Sequence, residues 1–298
     1  MYEDIRNNKI KTGIVVSVFT IMIGLIIYSL CYLFEFQEFS IIIAGIVAII
    51  STIATYYNCD KIVLKSVKAR KATKEEDLRL TNILEGLMVS SGLQSKPELY
   101  IIDSAQPNAF ATGRDPEHSV ICVTKGLLDK LSYYELEAVV AHELAHIKNY
   151  DIRLSAVISV MAGFVVILSD IFLRSFVIPS RRDSDDDNSS VNLILAVIGL
   201  ILLIVAPIVS SLIQLAVSRR REYLADATAI EFTRNPDGLI DALIKISSDD
   251  SKLEVASKSN AYMYIENPYP KKRNKSISNL FSTHPTIEER VNAIKNLK

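Results

Sequence analysis

Four long apolar runs constrain this chain more than any other feature. Thr12–Phe34 carries 23 residues without a charge, and Phe39–Tyr57 carries another 19. Leu154–Ile178 covers 25 residues interrupted only by Asp170 and Arg174, and Val191–Val217 covers 27 without a charge. About 20 apolar residues cross the hydrocarbon core of a bilayer as a helix. Four transmembrane helices are therefore expected. The first run is too long for the apolar core of a signal peptide and no A-x-A site follows it, so it reads as an uncleaved anchor. Asp170 and Arg174 stand four apart near the far end of the third run, where a snorkelling ion pair fits. Charges inside a span are also candidates for an ion or proton path.

Basic residues orient these runs. Arg6, Lys9 and Lys11 precede the first; Lys61, Lys65, Lys68, Arg70, Lys71 and Lys74 follow the second; Arg219, Arg220 and Arg221 follow the fourth. The first link between runs is acidic (Glu35, Glu38), and in the second Arg181 and Arg182 are outnumbered by aspartates in an otherwise uncharacteristic 181–187 stretch. The positive-inside rule then puts both termini and residues 58–153 in the cytosol. The expected organisation is a transmembrane hairpin over 1–60, a cytosolic part over 61–153, a second hairpin over 154–218 and a cytosolic part over 219–298. A net charge of -1 gives no footprint for nucleic acid. Cys31, Cys59 and Cys122 form no C-x-x-C pair, so neither a disulfide framework nor a thiolate metal site is expected.

Residues 73–150 read as soluble α/β material. Thr73 with Glu76 and Ser132 with Glu135 are capping boxes, and Gly92 is a helix stop. Leu99–Ile102 and Val120–Val123 read as strands. Beyond the fourth run, Arg219–Phe232 reads as a helix, Asn235-Pro236 opens another, and Thr286 with Glu289 opens a last one ending near Leu297. Residues 249–280 are polar and irregular, in keeping with a flap.

The helix opened by Ser132 contains His142-Glu143-Leu144-Ala145-His146. Four residues are about 400° of helical turn, so both imidazoles leave one face. That spacing suits two nitrogens on one Zn²⁺, with Glu143 beside them as general base. A catalytic zinc takes a third protein ligand and keeps an open position. The extended pattern with a third histidine fails, because Asn149 and Ile152 stand where its glycine and histidine belong.

Three candidates remain for the third ligand. Glu222 and Asp226 share one helical face. Asp237, in Asn235-Pro236-Asp237-Gly238, is similar to a string of the site-2 protease family but reads more simply as part of a helix cap. His284, before Pro285, is a ligand or oxyanion donor from a loop. His146 precedes the third run by eight residues and Glu222 follows the fourth by five, so a hairpin of those runs would deliver both to one side. Glu222 is the favoured ligand, with Asp226 orienting a ligand imidazole.

Together these strings resemble the M48 family of zinc peptidases, in its HtpX-like branch of heat-shock membrane proteases. The resemblance is carried by Asn108-Ala109-Phe110-Ala111-Thr112-Gly113, His142-Glu143-Leu144-Ala145-His146, Arg221-Glu222-Tyr223-Leu224-Ala225-Asp226 and Ser282-Thr283-His284-Pro285, in that order around two hydrophobic pairs. It implies four transmembrane helices with a mainly α, α+β gluzincin-type protease domain. It implies one Zn²⁺ held by His142, His146 and Glu222, with Glu143, Asp226 and His284 catalytic. It also implies that Asn108, Ala109 and Phe110 form an edge that takes substrate as an added strand. The expected activity is a multi-pass cell-membrane endopeptidase acting from the cytosolic side on damaged membrane proteins. Tyr150 departs from the smaller residue or arginine common in relatives. Three rival functions share some of these features: a non-catalytic zinc-binding membrane protein, a prenyl-protein (CAAX) protease, which has more spans, and an intramembrane protease, which the charges around the zinc helix oppose.

Overall fold

A computed structural model describes residues 2–33, 39–177, 199, 218–249, 251, 253–257, 259–266, 268 and 285–297. The fourth apolar run apart from residue 199, the 181–187 stretch and His284 lie outside the described residues, as does the side chain of Arg174.

The first two runs form α1 (Tyr2–Leu33) and α2 (Ser40–Tyr57), both long and apolar enough to cross a membrane. They pack on one another and on α7 (Asp151–Val177). Val15, Phe19, Met22 and Ile26 of α1 bury against Leu154, Ile158 and Met161 of α7. Their opposite faces expose Ile14, Ile21 and Leu25 on α1 and Ile42, Ile46, Ile49 and Ile53 on α2. An apolar stripe of that extent has a natural solvent in lipid rather than water. Of the four expected spans, α1 and α2 qualify alone. The third expected run falls on α7, which passes that test only when taken together with the helix before it.

A globular part follows. The short helix α3 (Cys59–Ser66) leads to strand β1 (Arg70–Lys71). Helix α4 (Lys74–Ser91) starts at the Thr73–Glu76 capping box and stops at Gly92, whose φ is 68°. Strands β2 (Glu98–Ile102), β3 (Ala109–Asp115) and β4 (His118–Thr124) complete a four-stranded sheet in the order β1-β2-β4-β3. β2 and β4 run parallel, and β3 is an edge strand antiparallel to β4, with Ala109 opposite Val123 and Ala111 opposite Ile121. The short helix α5 (Lys125–Lys130) then leads to α6 (Tyr133–Lys148).

After the gap in the description come α8 (Arg219–Thr233), α9 (Pro236–Ser247), a single 3₁₀ turn at Ala261–Met263 and α10 (Ile287–Lys295). Asn235 caps α9 by accepting the Gly238 N–H, so Asp237 sits in the first turn and is not the cap itself. α6 is the axis of the globular core. Leu136, Val139, Val140 and Leu144 are fully buried between α4, the sheet, α8 and α9.

The path from His146 into the third run is not continuous helix. α6 and α7 meet at 85° across Asn149-Tyr150, and Tyr150 holds the left-handed region at φ 61°. The ring of Tyr150 is flanked by Lys9 Nζ at 4.5 Å and by the Arg153 guanidinium carbon at 5.1 Å, cation–π contacts that hold the bend.

The loop that sets the start of β3 leaves no room at Gly126, where an added Cβ would stand 1.9 Å from the Ala105 carbonyl oxygen. Gly126→Ala should lower stability by roughly 1–3 kcal/mol through overpacking, read as a lower melting temperature of the detergent-solubilised chain.

Candidate metal centre

α6 and α8 lie side by side, and their facing side chains build the site. α6 presents His142, Glu143 and His146; α8 presents Glu222 and Asp226. One ligand atom from each of His142, His146 and Glu222 falls within 4.8 Å of the others. The two Nε2 atoms are 3.2 Å apart, with the rings perpendicular. Glu222 places Oε2 3.8 Å from Nε2 of His142 and Oε1 3.7 Å from Nε2 of His146.

The tautomers follow from the other ring nitrogens. His142 Nδ1 is 2.9 Å from Asp226 Oδ1, and His146 Nδ1 is 3.0 Å from Asp151 Oδ2. A carboxylate only accepts, so each Nδ1 carries the proton and donates it. Both Nε2 lone pairs then face one point, and two lone pairs at 3.2 Å repel unless a proton or a cation lies between them.

The titration behaviour carries the same message. Burial lowers His142, and Arg290 adds to that. Burial also pulls His146 down, but Asp151 and Glu222 outweigh it and hold the group up at about 9. The carboxylates of Asp151 and Glu222 thus favour a positive charge beside His146, where the three ligand atoms converge. Two neutral imidazoles, each fixed from behind, and a carboxylate fit a divalent metal ion.

Glu143 is buried, and its carboxyl is pushed up to about 7. Burial is the main cause and Glu222 adds to it; His146, Arg290 and a backbone hydrogen bond from Ala111 oppose it. A carboxyl poised near neutrality beside a metal site can take and return a proton.

Two supports behind the ligands were not legible in the sequence. Arg290 of α10 is fully buried. It donates to Asp226 from Nε at 2.8 Å and from a terminal nitrogen at 2.5 Å, and to the Ile265 carbonyl at 3.2 Å. Asp226 is therefore ionised, held below the usual carboxylate range by Arg290 and His142 against the opposing effect of burial. The one sequence signal was positional: Arg290 falls on the apolar stripe of Ile287, Val291 and Ile294. Asp151 is the second support. Its Oδ1 accepts from Asn8 of α1 at 2.7 Å and from Arg221 at 3.3 Å.

Asn108, Ala109 and Phe110 lie at the β3 edge beside the site, and all three are buried. The chain's own residues 264–266 run along them. Ile265 N–H donates to the Ala109 carbonyl at 3.0 Å, Asn108 Nδ2 donates to the Glu266 carbonyl at 3.0 Å, and the Tyr264 ring meets Phe110 edge-on at 5.2 Å. Ala111, Tyr262 and Ile265 line the cleft together with the ligands.

A histidine-bearing helix faced by a carboxylate helix and flanked by an edge strand defines a metalloprotease, here with membrane-crossing helices attached. The family model for peptidase family M48 matches residues 74–298. The chain belongs to that family and is a membrane metalloprotease acting on protein substrates. It is 44% identical over 294 residues to a protein named "Protease HtpX homolog" from Dictyoglomus thermophilum, covering 99% of this chain and 94% of that one. It is 41% identical over 300 residues to a namesake from Caldanaerobacter subterraneus subsp. tengcongensis, covering 100% and 98%. It is 38% identical over 302 residues to a third from Lactobacillus acidophilus, covering both chains fully. The crystal structure of S. mikatae Ste24p superposes with a TM-score of 0.50 at 18% identity, covering 99% of this chain and 67% of that one. That is a likeness of fold.

Arg290→Met should cost roughly 3–5 kcal/mol, because it strands the Asp226 charge in the core. The double variant with Asp226→Asn should recover part of the loss. Melting temperatures of the two variants check this, and equal losses in both would break the argument. Asp151→Asn, which replaces the carboxylate that accepts the His146 Nδ1–H by a weaker amide acceptor, should weaken metal binding by about 10–100-fold, measured by competition with a chromophoric chelator.

Proposed function

We propose that the chain is a zinc-dependent endopeptidase that cleaves damaged or misfolded membrane proteins from the cytosolic side of the cell membrane. The carrying observation is the pair of Nε2 atoms 3.2 Å apart with both Nδ1 protons committed to carboxylates. Two nitrogens about 2.0–2.1 Å from one tetrahedral zinc stand roughly 3.3 Å apart. Two histidines and a glutamate, with a fourth position open, are a catalytic zinc set. His142, His146 and Glu222 would hold the ion, one per chain.

When bound, the ion supplies Lewis acidity toward the scissile carbonyl and toward water. Glu143 accepts the proton of the attacking water and returns it to the leaving amine. Its near-neutral carboxyl suits both steps. Asp226 acts as the brace of His142 rather than as a proton donor, because Arg290 keeps it ionised and it touches Nδ1, the nitrogen turned away from the ion. His284, outside the described residues, is the proposed oxyanion donor.

Substrate binding at the edge strand is supported by the alternation of β3. The Asn108 carbonyl accepts the Thr124 N–H of β4 while the Ala109 carbonyl accepts Ile265 on the other side, so by alternation Ala111 and Gly113 also turn their backbone groups away from β4. The Ala109 carbonyl already accepts Ile265 and the Ala111 N–H already meets Glu143, so an extended substrate would pair along the Ala111 carbonyl and Gly113. That placement runs the strand past Glu143.

Four spans, with the second hairpin completed by 191–217, remain part of this reading. The cytosolic orientation rests on the lysines and arginines of 61–74 and 219–221. The likeness to Ste24p concerns fold and brings no prenylated substrate with it.

Glu143→Gln should keep one zinc per chain and lose roughly 10²–10⁴-fold of activity on an unfolded protein, whereas Glu222→Ala should lose the metal as well. Metal analysis beside a casein assay reads both, and parental turnover by Glu143→Gln would remove the general-base role. Single cysteines at the exposed positions Lys96 and Glu231 should both resist a membrane-impermeant thiol reagent added to intact cells. Labelling of one and not the other would separate the two halves of the site and sink the shared ion.

A further inference from the structure

The first apolar helix does more than anchor the chain. Asn8 lies two turns into α1 and is 3% exposed, far in sequence from every ligand. Its Nδ2 donates to the Asn149 carbonyl at 3.1 Å and to Asp151 Oδ1 at 2.7 Å. Both partners are acceptors, so the amide orientation is fixed by the bonds it makes. These two acceptors flank Tyr150, the left-handed residue at which α6 turns through 85° into α7. The neighbouring side chain, Lys9, covers the Tyr150 ring from the same helix.

Asp151 is the group whose other oxygen holds His146 Nδ1. A chain of contacts thus runs from α1 through Asp151 to His146 Nε2. Arg221, the residue before Glu222, reaches the same Oδ1 at 3.3 Å. The Asp151 carboxylate therefore sits between a donor from the first apolar helix and a donor from the helix that carries the third ligand.

We infer that Asn8 is a positioning residue for the metal: it fixes the rotamer of Asp151 and the bend beneath it, and so aims the His146 lone pair at the ion. This rests on the proposed ligand set. It makes metal affinity a property of the membrane helix as well as of the globular part. Without the Asn8 amide, Asp151 keeps only the longer Arg221 contact on Oδ1, and the imidazole it steers gains freedom. Groups behind metal ligands change affinity by about 10–100-fold. One step further out, the lower end of that range is expected.

The test uses the full-length chain in detergent, titrated with cobalt(II) under chelator competition. Asn8→Ala and Asn8→Ser should each bind cobalt about ten-fold more weakly than the parent, with an altered ligand-field spectrum. Asn8→Ser keeps a small polar group in the buried site and guards against misfolding of the alanine variant. Thr12→Val is the control. It removes another buried α1 polar group, but one that bonds only to the Asn8 carbonyl of its own helix, and it should bind within two-fold of the parent. Parental affinity and spectrum in both Asn8 variants would overturn the inference. So would an equal loss in Thr12→Val, which would mean that a loosened helix and not the Asp151 bond is responsible. Glu222→Ala run alongside separates the levels. If it too binds as the parent does, the ligand set itself is wrong; if it alone loses the metal, the ligand set stands and only the role of Asn8 falls.

Discussion

Each imidazole of the metal-site helix α6 donates its Nδ1–H to a buried carboxylate, and the rest of the architecture exists around that arrangement. An ionised carboxylate removed from water needs donors on every side. Asp226 finds them in His142 and Arg290, and Asp151 finds them in His146, Asn8 and Arg221. Satisfying those two groups draws in α1, α8, α10 and the start of α7. The histidine lone pairs are left no choice of direction, and Glu222 arrives opposite them on α8.

The bend at Tyr150 is what makes this compatible with a membrane. On an unbroken helix Asp151, five residues after His146, would project about 140° away from it. A left-handed residue at 150 folds the chain back so that Asp151 comes under the imidazole. The same turn lets α6 lie inside the globular core while α7 leaves it to pack on α1. A non-glycine residue in that region costs of order 1–3 kcal/mol, and the cations of Lys9 and Arg153 stacked on the Tyr150 ring offset part of that cost. A tyrosine at a position that reads as inconsequential in the sequence thus has a structural use.

Local signals in the sequence survived well because their physics is local. The capping boxes at Thr73, Ser132 and Thr286, the Asn235 cap and the Gly92 stop each satisfy backbone groups within a few residues. The short elements α3 and β1 gave no such signal, and α5, capped by Thr124 at the Leu127 N–H, is too short for its cap to stand out in the sequence. β1 has only two residues and is held by β2 alone, so nothing in its own composition marks it. The edge strand β3 was expected only through the family resemblance. Its Ala-Phe-Ala-Thr-Gly pattern lacks the alternation of a half-buried strand because both faces are covered.

What the amino-acid order determined alone was the set of apolar runs, the caps, and two histidines with a glutamate on one face of a helix. Each depends on spacings of at most one turn or one span, and hydrophobicity and helical period act over that range. Tertiary structure alone decided that Asp151, Arg290 and Asn8 stand behind the ligands, and that residues 264–266 lie on the β3 edge. The contacts of Arg290, Asn8 and residues 264–266 join positions 64 to 158 residues apart, and Asp151, only five residues from His146, reaches it because the chain turns at Tyr150. A buried charge or amide chooses its partner only after the core has closed around it and water has been excluded.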